Sequence, residues 1–259
     1  MSPQKPMLDE LTTMCLEELL ISGDYALLLP LGSVEPHGPH LPLSTDRLLS
    51  EENARRAAKE LENQGVKALI APSLAYGVTE YAQGFCGAIS LSPQLYQQLL
   101  VEVSEQYLSA GFKLICLINH HLEPLQLEAI QSALKVLNQG CSTPRVIAPS
   151  VVSRRWGRAL GTEFRSGACH AGSYESSMIL ASWPELVNHE IAEQLDSLDI
   201  SLSEAIRLGK SGFKEIGMER AYTGSPAQLS AKEGERLYQE HTHMVVTEVM
   251  ESLAGLGEV

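Results

Sequence analysis

Short apolar segments alternate with longer amphipathic segments over the first 150 residues, and this alternation restricts the possible fold more than any other feature. An apolar run of six to eight residues bounded by turn residues is typical of a buried strand. Such runs occupy Tyr25–Leu31, 66–71, 113–119 and 145–152, and helical patterns occupy 45–63, 93–110 and 123–138. A strand–helix repeat of this kind predicts a mostly parallel sheet with helices on both faces.

Nothing in the sequence divides the chain into parts. Its 259 residues are enough to bury a large core, and no low-complexity linker or solenoid repeat interrupts them. Further helices are predicted over 174–182 and from the capping box Ser230-Ala-Lys-Glu233 to about Leu253. We therefore expect a single domain over residues 1–259, an α/β fold with three layers in the order α/β/α.

Charge and cysteine content limit the partners. Lysine and arginine number 19 and aspartate and glutamate 32, giving a net charge of −13, which argues against nucleic acid or an anionic membrane as partner. Small neutral or cationic substrates and metal ions fit this balance better. The five cysteines are scattered without a C-x-x-C pair, and the N-terminus resembles no signal peptide. These features predict a cytoplasmic protein with reduced thiols that does not cross a membrane.

Polar side chains with metal-binding chemistry follow the first apolar run. The stretch reads GSVEPHGPHLPLSTD, from Gly32 to Asp46. Glu35 and His37 are two residues apart in a segment that prolines keep extended, so their side chains project to the same side. Asp46 follows at the start of the next helix, where it is either a member of the same site or a helix N-cap.

Two later segments also contain histidine and glutamate residues close together in the sequence. His121 and Glu123 are again two apart, directly after the third apolar run, and His120 precedes them. His170 lies among small residues in ACHAGSYESS, with Glu175 in the following helix. Open α/β sheets bind ligands outside the carboxyl ends of their strands, so these groups are expected to face one cleft.

Imidazole and carboxylate without thiolate suit Zn²⁺, Mn²⁺ or Fe²⁺. An aspartate can bridge two ions, and two ions about 3.5–4 Å apart can activate a water molecule and polarise a carbonyl group. His170 or Glu175 could then carry a proton to a leaving nitrogen. The alternative is that each histidine is hydrogen-bonded in the core and each carboxylate is a helix cap.

The motifs GSVEPHGPHLPLSTD, NHHLEP and HAGSYESS resemble those of the creatininase (creatinine amidohydrolase) family, and the resemblance covers about residues 8–250. It implies an α/β/α fold, two divalent metal ions, and hydrolysis of an amide-type C–N bond in a small molecule, such as a cyclic amide or formamide, by a metal-activated water. It also implies a homo-oligomer, in the family a homohexamer.

The resemblance also implies roles for individual residues. Glu35 and His121 correspond to ligands of one ion, His37 and Glu123 to ligands of the other, and Asp46 to the bridge. His170 corresponds to a substrate-contacting histidine that handles a proton, and Glu175 to the acidic residue of the same motif. Both are therefore the predicted catalytic residues.

Some residues depart from the family pattern. His120 replaces a usual glycine and Pro124 a usual asparagine, so either histidine of the pair could be the ligand, and the register favours His121. No tryptophan precedes His170 closely, which argues against creatinine as the substrate.

Two other functions stay open at this point. One is a metal- or ligand-binding protein without turnover, and the other is a hydrolase with Cys169 as its nucleophile. The basic cluster of Arg154, Arg155 and Arg158 is interpreted as a solvated face or a subunit contact.

Overall fold

The computed structural model describes residues 7–257, which form a four-stranded sheet covered by helices. The strands are β1 (Tyr25–Leu31), β2 (Lys67–Ile70), β3 (Leu114–Asn119) and β4 (Val146–Ile147). They lie in the order β2–β1–β3–β4, and every neighbouring pair is parallel. The predicted parallel sheet is confirmed.

Nine α-helices connect and flank the strands in the described part of the chain. They are α1 (Thr13–Ile21), α2 (Thr45–Asn63), α3 (Pro93–Ala110), α4 (Pro124–Leu137), α5 (Gly161–Ser166), α6 (Ser173–Ser182), α7 (His189–Ala192), α8 (Leu202–Arg207) and α9 (Ala231–Gly257). Helix α3 begins and ends at the residues predicted from the sequence. The Ser92 hydroxyl accepts a hydrogen bond from the Leu95 amide at 3.3 Å, and Gly111 ends the helix with φ of 114°.

Alternation along the strands builds the three layers. In β1, Leu28 faces a core shared with α2, α6 and α9, whereas Leu27 and Leu29 face a second core shared with α1, α3 and α4. Successive strand side chains point to opposite faces, so a fully apolar β1 covers both cores at once. The predicted α/β/α arrangement is confirmed.

The structure differs from the sequence-based boundaries at the edge of the sheet. The predicted strand 145–152 is reduced to β4, because Pro149 cannot donate a ladder hydrogen bond and the chain then turns away over 151–156. The helices α1, α5, α7 and α8 were not predicted. Among residues 7–257, no helix is both long and apolar enough to span a bilayer.

The strand register brings the predicted site segments to one edge. Leu31 and Asn119, the last residues of β1 and β3, are directly paired, so the segments that follow them begin side by side. The loop after β2 joins them, because the Gly32 amide donates to the Leu74 carbonyl at 3.0 Å. A Cβ atom at Gly77 in this loop would lie 2.6 Å from the Gly32 carbonyl oxygen, so only glycine permits this close approach.

Candidate metal centre and active site

Glu35 and His37 approach each other after β1 as their spacing predicts. Glu35 Oε1 lies 3.8 Å from His37 Nε2, and the other carboxylate oxygen accepts a short hydrogen bond from the Thr79 hydroxyl. His37 Nδ1 donates to the Glu35 carbonyl at 3.2 Å. In the neutral ring this leaves the lone pair on Nε2, and that atom is buried without a hydrogen-bond partner among residues 7–257.

Asp46 lies between the two halves of the site. It is in the first turn of α2, but the N-cap of that helix is Ser44, so the alternative interpretation of Asp46 as a cap is wrong. Its Oδ1 lies 3.4 Å from His37 Nε2, and its Oδ2 lies 3.2 Å from His121 Nδ1. The Ser33 hydroxyl donates to Oδ2 at 2.6 Å and fixes the carboxylate. One carboxylate thus presents an oxygen to each of two histidines.

The histidine pair after β3 divides into two environments. His121 Nε2 donates to the Val78 carbonyl at 2.7 Å, which turns Nδ1 toward the carboxylates of Glu35 and Asp46, each 3.2 Å away. His120 instead faces away, with its ring stacked on His241 at a centroid distance of 4.4 Å. The geometry therefore favours His121 as the ligand.

The segment before α6 adds His170 and Glu175 from far along the chain. Glu175 Oε2 lies 3.7 Å from His37 Nε2 and accepts from the Ala171 amide at 2.7 Å. His170 Nε2 donates to the Pro36 carbonyl at 3.0 Å, and its Nδ1 lies 3.9 Å from Glu35 Oε1. Both residues therefore reach the same cluster.

Glu123 is brought near the cluster but not into it. Its carboxylate accepts from the Tyr81 amide at 3.2 Å, and the residue occupies the N-cap position of α4. It lines the same cavity as Glu35 and His121.

The described residues contain three groups of possible metal ligands, and within each group the ligand atoms all lie within 4.8 Å of one another. They are Glu35–Asp46–His121, His37–Asp46–Glu175 and Glu35–His37–His170, and all their members are buried. The first two groups share Asp46, and each of their other four residues belongs to only one of these two groups. Five of the seven predicted site residues belong to these two groups, whereas His170 belongs only to the third and Glu123 to none.

Burial and mutual charge shift the titration of these groups. Although burial opposes it, the carboxylates of Asp46, Glu175 and Glu35 raise the pKa of His37 to about 10. Burial raises the pKa of Glu175 to about 8 and of Glu123 to about 7. Burial lowers the pKa of His170 to about 4, so its imidazole is neutral at pH 7. The negative charge of the carboxylates thus favours a positive charge at the position of His37 Nε2.

A cavity of about 390 Å³ opens onto the cluster. Glu35, Asp46, His121 and Glu175 form part of its lining, together with Glu123, His170 and Cys169. Burial raises the pKa of the Cys169 thiol to about 12, so it carries no thiolate at neutral pH. This environment does not favour Cys169 as a nucleophile.

A family model described as creatininase, creatinine amidohydrolase, matches residues 9–249. The chain belongs to the creatininase family. Similar curated proteins include a mycofactocin precursor peptide peptidase of Mycobacterium ulcerans, 29% identical over 251 residues that cover 91% of this chain and 88% of the relative. A creatinine amidohydrolase of Pseudomonas putida is 27% identical over 197 residues, which cover 69% and 72% of the two chains.

Solved creatininase structures share the fold. A crystal structure of creatinine amidohydrolase superposes with a TM-score of 0.73 at 22% identity and covers 96% of this chain and 98% of its own. A structure named creatininase Mn superposes with a TM-score of 0.72 at 22% identity and the same coverage. These likenesses confirm the creatininase-like α/β fold predicted from the motifs.

Several residues that support the site of this creatininase-family chain were not predicted. Thr79 and the Val78 carbonyl hold Glu35 and His121, and both belong to a loop of 76–90 without clear periodicity. Ser33 holds Asp46 and lies inside the first motif. Only Ser33 had a usable signal, its position directly before the glutamate of the motif.

Proposed function

We propose that this chain is a metal-dependent amidohydrolase that uses two divalent ions to hydrolyse an amide-type C–N bond. The observation that carries the proposal is the pair of buried ligand groups, Glu35–Asp46–His121 and His37–Asp46–Glu175, which share one aspartate. Relative to the ligand set implied by the sequence motifs, Glu175 takes the place of Glu123. The ions are Zn²⁺, Mn²⁺ or Fe²⁺, given the donor atoms.

The residues present fit such ions on chemical grounds. Three buried carboxylates, those of Glu35, Asp46 and Glu175, lie together with no lysine or arginine paired to them in the described residues. Buried anions require compensation, and His37 Nε2 is a buried nitrogen without a hydrogen-bond partner there that offers a lone pair once its proton is displaced. Two divalent cations between these atoms would satisfy both requirements. When bound, such ions supply Lewis acidity toward a carbonyl group and toward water.

The residues around the proposed ligands have two roles, proton transfer and positioning of the ligands. Because His170 Nε2 donates to the Pro36 carbonyl, its Nδ1 is left as a proton acceptor directed toward the cluster. Glu123 lines the cavity outside the ligand groups, with its carboxylate held by the Tyr81 amide. We assign proton delivery to the leaving nitrogen to Glu123, in place of His170. The Ser33, Thr79 and Val78 contacts keep the ligands in position.

The second candidate function is a metal- or ligand-binding protein without turnover. It is favoured by His120 and Pro124, which depart from the family pattern in the segment after β3. His120 faces away from the ligand groups, which removes part of that argument. Both a peptide and a small amide are open as substrates, since one relative is named a peptide peptidase and another a creatinine amidohydrolase. The cytoplasmic location and the homohexamer stay predictions, and light scattering would test the latter.

Elemental analysis of the purified protein, followed by turnover assays, tests the proposal. We expect about two equivalents of metal per chain, loss of activity on chelation, and recovery with Mn²⁺ or Zn²⁺. The panel should contain creatinine, formamides, cyclic amides and short peptides. Asp24→Asn is a suitable control, because Asp24 is exposed and, within residues 7–257, its only ion pair is with Lys113 at 3.5 Å. Bound metal without turnover on every compound would favour the non-catalytic protein, and absence of metal would refute both.

A further inference from the structure

Three arginines line the outer part of the cavity above the ligand cluster. Arg154, Arg158 and Arg165 are all exposed and all belong to the lining. Six of the lining residues are exposed, and besides these arginines they are Val152, Ser203 and Ile206. None of the exposed lining residues in the described chain is acidic, whereas every lining carboxylate is buried, in the ligand cluster or, for Glu123, near it. Charge is therefore separated by depth in the cavity.

This separation is unusual for a chain with 32 acidic and 19 basic residues. Arg154, Arg158 and Arg165 form no ion pair within residues 7–257, and Arg165 only donates through Nε to the Gly161 carbonyl at 3.0 Å. Arg155 in the same segment behaves differently, because it pairs with Glu251 through two hydrogen bonds of 2.8 and 2.6 Å. Among the arginines of 154–165, those that line the cavity form no ion pair in the described chain, and Arg155, which does not line it, is paired.

We propose that the substrate carries an anionic group, a carboxylate or a phosphate, that Arg154, Arg158 and Arg165 bind at the cavity mouth. This inference rests on the proposed hydrolase function and adds the class of its substrate. Guanidinium groups match both anions through paired N–H donors. A net charge of −13 repels anions in general, so an anionic substrate requires such a local site.

The rest of the lining indicates what connects the anion to the bond that is cleaved. Val152, Phe164, Leu202 and Ile206 add apolar surface beside the arginines. A cavity of about 390 Å³ lies in the range that accommodates drug-sized ligands rather than a single small ring. The substrate class is thus an acylated amine or amide with an apolar body and a terminal anion. For Arg154 and Arg158, we propose this role in place of the solvated face or subunit contact expected from the sequence, whereas Arg155 pairs with Glu251 outside the cavity.

Binding of simple probes to the metal-loaded protein tests this without requiring turnover. Calorimetry would compare hexanoate, hexyl phosphate, hexanamide and hexylammonium, which share an apolar chain. We expect the two anions to bind at least about tenfold more tightly than the amide. Each of Arg154→Gln, Arg158→Gln and Arg165→Gln should weaken anion binding about 2–5-fold, as exposed charge pairs do, and the triple variant about 10–100-fold. Hexanamide binding should stay unchanged.

The matched control is Arg155→Gln, which removes an arginine of the same segment that is paired outside the cavity. It should bind all probes as the unaltered protein does. The inference is overturned if no anion binds better than hexanamide, or if the preference persists in the triple variant, which would place the anion on the metal ions. The affinities of hexyl phosphate and hexanoate are compared to decide whether the site prefers a phosphate or a carboxylate. Because metal content and amide turnover are measured separately, loss of the anion preference leaves the hydrolase proposal intact, whereas failure of the hydrolase proposal shows as missing metal or missing turnover.

Discussion

Replacement of Asp46 by asparagine tests how the ions share their ligands. Asparagine keeps the size of the side chain but removes its charge and one of its two oxygen ligands. Asp46 belongs to both ligand groups, with Oδ1 directed to His37 and Oδ2 to His121. We expect Asp46→Asn to weaken both ions, whereas Glu175→Gln weakens one ion and Glu123→Gln neither.

The structure bounds the size of these effects. Both ligand groups lose the charge of the shared carboxylate and one of them also loses an oxygen ligand, and a missing outer partner of a ligand alone costs about 10–100-fold in metal affinity. Loss of the charged carboxylate should cost each ion at least the lower end of this range, about tenfold. The two ions then lose at least about 2.8 kcal/mol of binding free energy together, taking about 1.4 kcal/mol for each factor of ten. For Glu175→Gln the same reasoning gives half of that value.

Equilibrium dialysis against a buffered concentration of free Zn²⁺, followed by elemental analysis, measures the result. The free concentration is set so that the unaltered protein is just saturated. Near-zero occupancy in Asp46→Asn, about one equivalent in Glu175→Gln and two in Glu123→Gln would agree with the geometry. Retention of one full equivalent by Asp46→Asn, with its circular dichroism unchanged, would refute the shared aspartate. Loss of one equivalent in Glu123→Gln would return Glu123 to the ligand set.

Three further outcomes follow from the structure. Gly77→Ala should lower the free energy of unfolding by about 1–3 kcal/mol in urea titrations, because its Cβ would meet the Gly32 carbonyl oxygen at 2.6 Å; Gly212→Ala, whose nearest neighbour is 3.7 Å away, should not. Cys169→Ala should keep its turnover, and a loss above about tenfold would revive the thiol mechanism. The metal-free protein should lose stability as pH rises from 6.5 to 10, since protonated His37 stabilises the fold only below its raised pKa of about 10; thermal melts with and without ions would show whether the loaded protein lacks this loss.

The central strands and the main helices could be predicted because the sequence signals are long. Seven consecutive apolar residues in Tyr25–Leu31 leave little alternative to a strand buried on both faces. The helices α7 and α8 have four and six residues, too few for a 3.6-residue period to show. β4 is short because it is an edge strand, whose length depends on its pairing with β3 rather than on its own composition.

The site was predictable where local geometry decides and unpredictable where distant contacts decide. The i, i+2 spacing brought Glu35 and His37 together as extended backbone requires. The same spacing did not bring Glu123 to the ligands, since the chain turns into α4 there and its carboxylate is directed to the Tyr81 amide. Glu175 reaches His37 only because α6 packs against α9 and α2, and no spacing in the sequence indicates that contact.

The wide spread of the ligands along the chain has a consequence for biosynthesis. The first ligand group is complete once residue 121 has been made, but the second also needs Glu175, 140 residues beyond Glu35. A nascent or truncated chain that ends before α6 can therefore hold at most one ion. If the proposed site is right, full metallation waits until the chain has been made through α6 and has folded, and occupancy of the second ion requires that part of the chain.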